Sequence, residues 1–168
     1  MIADRRTSVA FTGHRTYRGA AADALRRTVG ELYARGFRTF LSGMAVGFDL
    51  AAAEAVLELR ERVPGVRLVA AVPFRGQEMR FSPADRERFR RVLAEADSVE
   101  VLAPAYHRGC YAVRNDFLVY NARVLVAWYD GSPGGTRHTV SRALRRGLEF
   151  VNLHPQRAGV ALTEPTLF

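Results

Sequence analysis

"RVLVAWYDGSPGGTRHTV", residues 123–140, joins an unbroken apolar run to a turn of three glycines and a proline, and then to the start of a helical pattern. An apolar run without alternation reads as a strand buried on both faces, the pattern of a parallel sheet covered by helices on either side. The reading of this stretch therefore decides whether the chain is an α/β protein.

The same pattern repeats outward. Further strands are expected at 7–13, 37–43, 66–74, 98–103 and 149–153, with 123–130 as the fifth of six, and helices between them at 21–36, 49–62, 82–97, 111–122 and 136–147. Leu25, Val29, Leu32 and Tyr33 fall at helical spacing before Gly36, a residue suited to the position just past a helix end. Ser82 as N-cap, Pro83 at the first helical position and Asp85 in the first turn open another helix, whose stripe is Phe89, Val92, Leu93 and Ala96. Alternating strands and helices predict a doubly wound, Rossmann-like α/β fold: a mostly parallel sheet of about six strands with helices on both faces. A chain of 168 residues is expected to form one domain over 1–168, with its core at about 7–153 and a peripheral tail at 154–168. That tail, with Pro155, Pro165 and the apolar "GVAL", is expected to lie on a sheet edge or in a homo-oligomer contact.

Charge narrows the partners. All 25 basic residues are arginine and the formal net charge is +8, which favours anionic partners such as nucleotides or nucleic acid. The runs "RERFRR" (86–91) and "RALRR" (142–146) carry no nucleic-acid motif and also suit solvated helix faces. No apolar stretch approaches the ~20 residues that span a bilayer, and "VAF" near the start is too short for a signal peptide, so a cytoplasmic protein without a membrane partner is expected. Cys110 is the only cysteine and is expected as a small, partly buried hydrophobe. His14, His107, His138 and His154 are scattered without ligand spacing, which argues against a metal site, and no G-x-S-x-G elbow occurs.

In a doubly wound sheet the ligand sits beyond the carboxyl ends of the strands, where strand order reverses. Those ends carry "TGHRTYRG", "SGMAVGFD", "PFRGQ" and "YDGSPGGT", so glycine, arginine and hydroxyl groups recur on one rim. The last turn is the most pointed. Helix starts favour acids, yet the residues read as the first turn here are Thr136, Arg137, His138 and Thr139, with no carboxylate after Asp130. A bound anion would relieve that conflict, with N–H groups of Gly134, Gly135 and Thr136 donating to a phosphate. The competing account is a tight turn whose Thr136 caps the helix. Neither a Walker A loop nor G-x-G-x-x-G is present.

The set "TGHR", "SGMAVGFDLAAAEA", "VPFRGQ" and "RNDFLVYNARVLVAWYDGSPGGT" resembles the YpsA-like branch of the SLOG superfamily, which also holds DprA and the LOG phosphoribohydrolases; the resemblance spans about residues 8–150. It implies a pocket for a nucleotide or nucleotide-derived ligand, such as ADP-ribose or NAD. By that resemblance Gly13, His14 and Arg15 line a phosphate or ribose region, and Gly43, Gly47 and Asp49 form a second turn with Asp49 accepting from a ribose hydroxyl or base. It likewise assigns Pro73, Phe74 and Gln77 to the loop after the third strand, with Phe74 as a candidate base-stacking ring, and Arg114 and Asn115 to the approach to the fifth strand. A helix-dipole role competes for Asp49, plain packing for Phe74, and a solvated helix face for Arg114.

Catalysis is where the chain departs from the LOG pattern. The LOG enzymes resemble one another in "PGGxGTxxE", whereas this chain has Pro133, Gly134, Gly135 and Thr136 without the extra glycine, and Thr139 where the glutamate would fall. Base release needs a positioned acid or base. Asp49, Glu54 and His14 are substitutes by type alone, so no catalytic residue is assigned. Three functions stay open: a nucleotide-binding sensor or regulator, a single-stranded nucleic-acid module of DprA type, and a LOG-like N-glycosidic hydrolase.

Overall fold

Six strands alternate with five helices: β1 (Ser8–Gly13), α1 (Ala22–Ala34), β2 (Thr39–Ser42), α2 (Phe48–Arg62), β3 (Arg67–Val72), α3 (Pro83–Glu95), β4 (Ser98–Val101), α4 (Cys110–Tyr120), β5 (Val124–Trp128), α5 (Gly135–Arg145) and β6 (Glu149–Asn152). The structure, a computed structural model, describes residues 4–155, so the expected role of the tail beyond residue 155 lies outside the described residues. Every expected element is present, most trimmed by one or two residues at an end. Two short 3₁₀ turns, Arg5–Thr7 and Gln77–Arg80, have no counterpart in the hydrophobic pattern.

Local chemistry accounts for the element ends. Gly36 adopts φ +105° past α1; its N–H donates to the Tyr33 carbonyl, and the Phe37 N–H donates to that of Leu32, the two bonds of a Schellman ending. Ser82 caps α3 by accepting from the Asp85 N–H, with Pro83 at the first helical position.

The strands form one parallel sheet in the order β4-β3-β2-β1-β5-β6. Pairing Val9 with Val124 and Ala10 with Leu125 sets β1 beside β5, and the winding reverses between these two strands. Alternate residues feed opposite layers. Val9, Phe11, Phe40, Leu68 and Val126 pack with α1, α2 and α3, whereas Ala10, Leu41, Val69 and Leu125 pack with α4 and α5. Both faces of the central strands are thus dry, which is why their sequences run apolar without alternation. Edge strand β4 differs, since Val99 and Val101 are exposed. No helix among the described residues is long and apolar enough to cross a membrane.

Candidate functional site

The reversal between β1 and β5 places two turns side by side, the one after Gly13 and the one after Trp128. They are tied together: His14 Nε2 lies 2.8 Å from Asp130 Oδ1, and the Asp130 N–H donates to the same nitrogen at 3.1 Å. Ser132 donates to Asp130 Oδ1 from its N–H (2.8 Å) and its hydroxyl (2.6 Å), and these bonds hold the Asp130 carboxyl below the usual carboxylate range.

Next to this tie lies a cavity of about 340 Å³, lined by Gly13, His14, Arg15, Asp49, Arg114, Asn115, Gly135 and Thr136 from the sequence reading, together with Thr12, Ala45 and Tyr111. Residues from four separate turns and helix starts therefore meet in one place. The remaining candidates are placed differently. Gly43 sits beneath Arg114, Gly47 supports the first turn, Asp130 anchors the last, and Gly134 precedes α5, while Pro73, Phe74 and Gln77 lie outside the lining. Phe74 is buried against Ala103, Cys110 and Tyr111, so plain packing describes it and its ring is closed to a ligand.

Asp49 and Arg114 form the charged floor. Asp49 is only 5% exposed; its Oδ2 accepts weakly from the Ala45 N–H at 3.4 Å, and Oδ1 has no hydrogen-bond partner among the described residues. Burial pushes its pKa up to about 6, against the opposing pull of Arg114, the Ala45 N–H and Arg15. Asp49 also stands in the first turn of α2, where the helix dipole favours a carboxylate, so dipole and burial act on it in opposite directions. Arg114 is 6% exposed and so is not on a solvated face. Its guanidinium donates to Asn115 Oδ1 at 2.7 Å and to the Gly43 carbonyl, and burial holds its pKa below the usual arginine range. The turn above β2 is itself constrained: Met44 takes φ +63°, unusual for a residue with a side chain, and its N–H donates to Ser42 Oγ at 3.2 Å.

The start of α5 forms another wall. Gly134 is the N-cap at φ +133°, so Thr136 does not cap the helix; no side chain caps it, and its first turn has no acid. First-turn N–H groups lack intrahelical acceptors, and Gly135 and Thr136 present that positive end to the cavity. Thr139, where a LOG glutamate would fall, is buried and donates through its hydroxyl to the Gly135 carbonyl at 3.0 Å. Glu54 is equally remote from the cavity chemistry, bound to Arg88 at 2.6 Å.

A larger groove, about 500 Å³, runs past Tyr17, Ala51 and Ala55. Its charges already neutralise one another through Arg26–Glu58 and Arg88–Glu54 pairs, so it lacks the unsatisfied buried group that marks the smaller cavity. Sequence reasoning missed Tyr111, although Tyr111 and Arg114 stand three residues apart on a helix and so share a face.

A parallel sheet with glycine turns gathered at its reversal, over an arginine-floored cavity, defines a Rossmann-like α/β protein. The YspA SLOG family model matches residues 10–149, and the chain belongs to that family. It is similar to a UPF0398 protein of Bacillus thuringiensis (strain Al Hakam), 28% identical over 134 residues that cover 78% of this chain and 72% of the relative. A UPF0398 protein of Bacillus cereus (strain G9842) is 27% identical over 139 residues, covering 81% and 75%. In fold it is similar to the DNA processing protein A (DprA) of Streptococcus pneumoniae, with a TM-score of 0.63 at 18% identity, covering 86% of this chain and 49% of that one. DprA from Helicobacter pylori, described with a single-stranded DNA binding mode, gives 0.62 at 17% identity over 86% and 64%. The chain thus spans less than two thirds of either DprA chain.

Proposed function

We propose that the cavity at the β1–β5 reversal binds the phosphate and ribose of a nucleotide or nucleotide-derived ligand of the ADP-ribose or NAD class, making the protein a sensor or regulator. The observation that carries this is the buried Asp49 oxygen without a partner, set beside buried Arg114 and facing an uncapped, acid-free helix start. Buried polar atoms are nearly always satisfied, so an orphan at a cavity wall calls for a partner there, an ordered water or a group of a bound ligand. Arg114 and Arg15 supply charge, Gly135 and Thr136 supply N–H donors, and Asp49 accepts from a ribose hydroxyl. A thermal-shift panel of ADP-ribose, NAD, AMP and ATP tests it: a ligand at a hundred times its dissociation constant stabilises by about 2.7 kcal/mol. Absence of stabilisation by every member of that panel would refute the proposal.

A second reading, single-stranded nucleic-acid binding, is favoured by the +8 charge and by the fold shared with the Helicobacter pylori DprA. It requires affinity for an oligonucleotide that falls steeply with salt. Binding that is undetectable or insensitive to salt removes it.

A further inference from the structure

The cavity wall continues into an aromatic row. Tyr111 lines the cavity, and Tyr106 lies beside it with ring centroids 6.3 Å apart. Phe74 packs edge-on beneath both, at 5.5 Å from Tyr106 and 6.0 Å from Tyr111. Guanidinium groups stand at each end: Arg15 Cζ is 5.4 Å from the Tyr111 centroid and Arg80 Cζ is 4.6 Å from that of Tyr106. Neither arginine makes an ion pair among the described residues, in contrast to Arg26, Arg35, Arg60 and Arg88. Tyr106 is 51% exposed, in a loop whose neighbours 104–109 are all exposed, yet its ring is held by three contacts.

A ring that is held in place but left half open, one ring spacing from an anion-binding cavity and flanked by unpaired cations, suits a planar, electron-rich group attached to a phosphate. We infer that Tyr106, with Arg80, is a stacking ledge for the nucleobase of a ligand whose phosphate occupies the Asp49–Arg114 cavity. The ligand class is then a nucleoside phosphate, with a bare sugar phosphate a weaker partner. Stacking on an aromatic ring and an adjacent guanidinium tolerates any base, because every base has a π-face. The inference rests on the phosphate reading above.

Calorimetric titration of AMP and of ribose 5-phosphate into the wild type, Tyr106→Ala and Tyr106→Phe separates the two. AMP is expected to bind about tenfold or more tighter than ribose 5-phosphate. Tyr106→Ala should erase most of that ratio and leave ribose 5-phosphate unchanged, while Tyr106→Phe keeps it. Equal affinities for the two ligands in the wild type, or a ratio unmoved by Tyr106→Ala, overturn the ledge and leave the cavity reading standing. Failure of both ligands to bind the wild type overturns the ledge as the base site of a nucleoside phosphate, while the cavity reading falls only if ADP-ribose, NAD and ATP also fail to bind.

Discussion

Arg114, buried on α4, donates to the carbonyl of Gly43 at the end of β2, so the cavity floor is clamped across two elements that are distant in sequence. A Cβ at position 43 would lie 2.8 Å from Arg114 Cδ and 2.9 Å from its Nε. Gly43→Ala therefore displaces a guanidinium that has nowhere dry to go with its bonds intact. The expected cost is about 1–3 kcal/mol of stability, the desolvation penalty of polar groups left unmade. Urea melts check it, and a variant as stable as the wild type would show that the clamp is slack.

The glycines divide into two kinds, and substitution separates them. At Gly13 an added Cβ would lie 2.5 Å from Phe48 Cβ and Cγ, and at Gly47 (φ +84°) it would lie 2.7 Å from the carbonyl oxygens of His14 and Arg15. Overpacking of this sort costs about 1–3 kcal/mol or more, so Gly13→Ala should lower the melting temperature whatever the ligand. At Gly135 the nearest atom, Asn115 Nδ2, is 3.9 Å away, and the backbone needs no left-handed conformation.

Gly135→Glu follows from that room and from the helix charge. A carboxylate in the acid-free first turn of α5 complements the dipole and should stabilise the unliganded protein by about 0.3–1 kcal/mol. It also puts a negative charge where the phosphate is proposed to sit. The expected result is a slightly higher melting temperature together with loss of any nucleotide-induced shift. A variant that still responds to the ligand would remove the α5 terminus from the site.

What the sequence disclosed, and what it withheld, follows from the range of the interactions. Elements were legible because doubly buried strands such as Val124–Trp128 need unbroken apolar runs and because Ser82 and Gly36 act through near neighbours. The adjacency of β1 and β5 was not, since nothing within either strand names its partner. Arg114 was legible as a candidate but not as a buried one. Its signal lay in spacing: Cys110, Arg114 and Leu118 recur every four residues, and all three are buried, so the arginine sits on an apolar stripe. Phe74 shows the opposite case: read as a candidate stacking ring, it is buried, while Tyr106, which no sequence signal singled out, is exposed, because residue type alone cannot tell a buried loop aromatic from a displayed one.

Asp49 carries the pH dependence. Burial raises its folded-state pKa from 3.8 to about 6, so between those values the folded protein holds more protons than the unfolded chain. The stability this confers is fully present below about 4 and is lost as pH rises through about 6, amounting to about 3 kcal/mol for Asp49 alone. Asp49→Asn removes the carboxylate charge near Arg114 at every pH and leaves the bonds of Arg114 to Asn115 and Gly43 in place; arginine does not titrate in this window, so the change with pH belongs to Asp49. The stability difference between wild type and Asp49→Asn should therefore shift by about 2 kcal/mol against the wild type between pH 4 and pH 7 in urea melts. Ligand binding runs the other way. If Asp49 accepts from a ribose hydroxyl, binding favours the carboxylate, releases a proton, and strengthens as pH rises through about 6. ADP-ribose titrated from pH 5 to pH 8 is expected to gain affinity across that range in the wild type and to stay level in Asp49→Asn. Affinity that instead falls with rising pH would place a phosphate, not a hydroxyl, against Asp49.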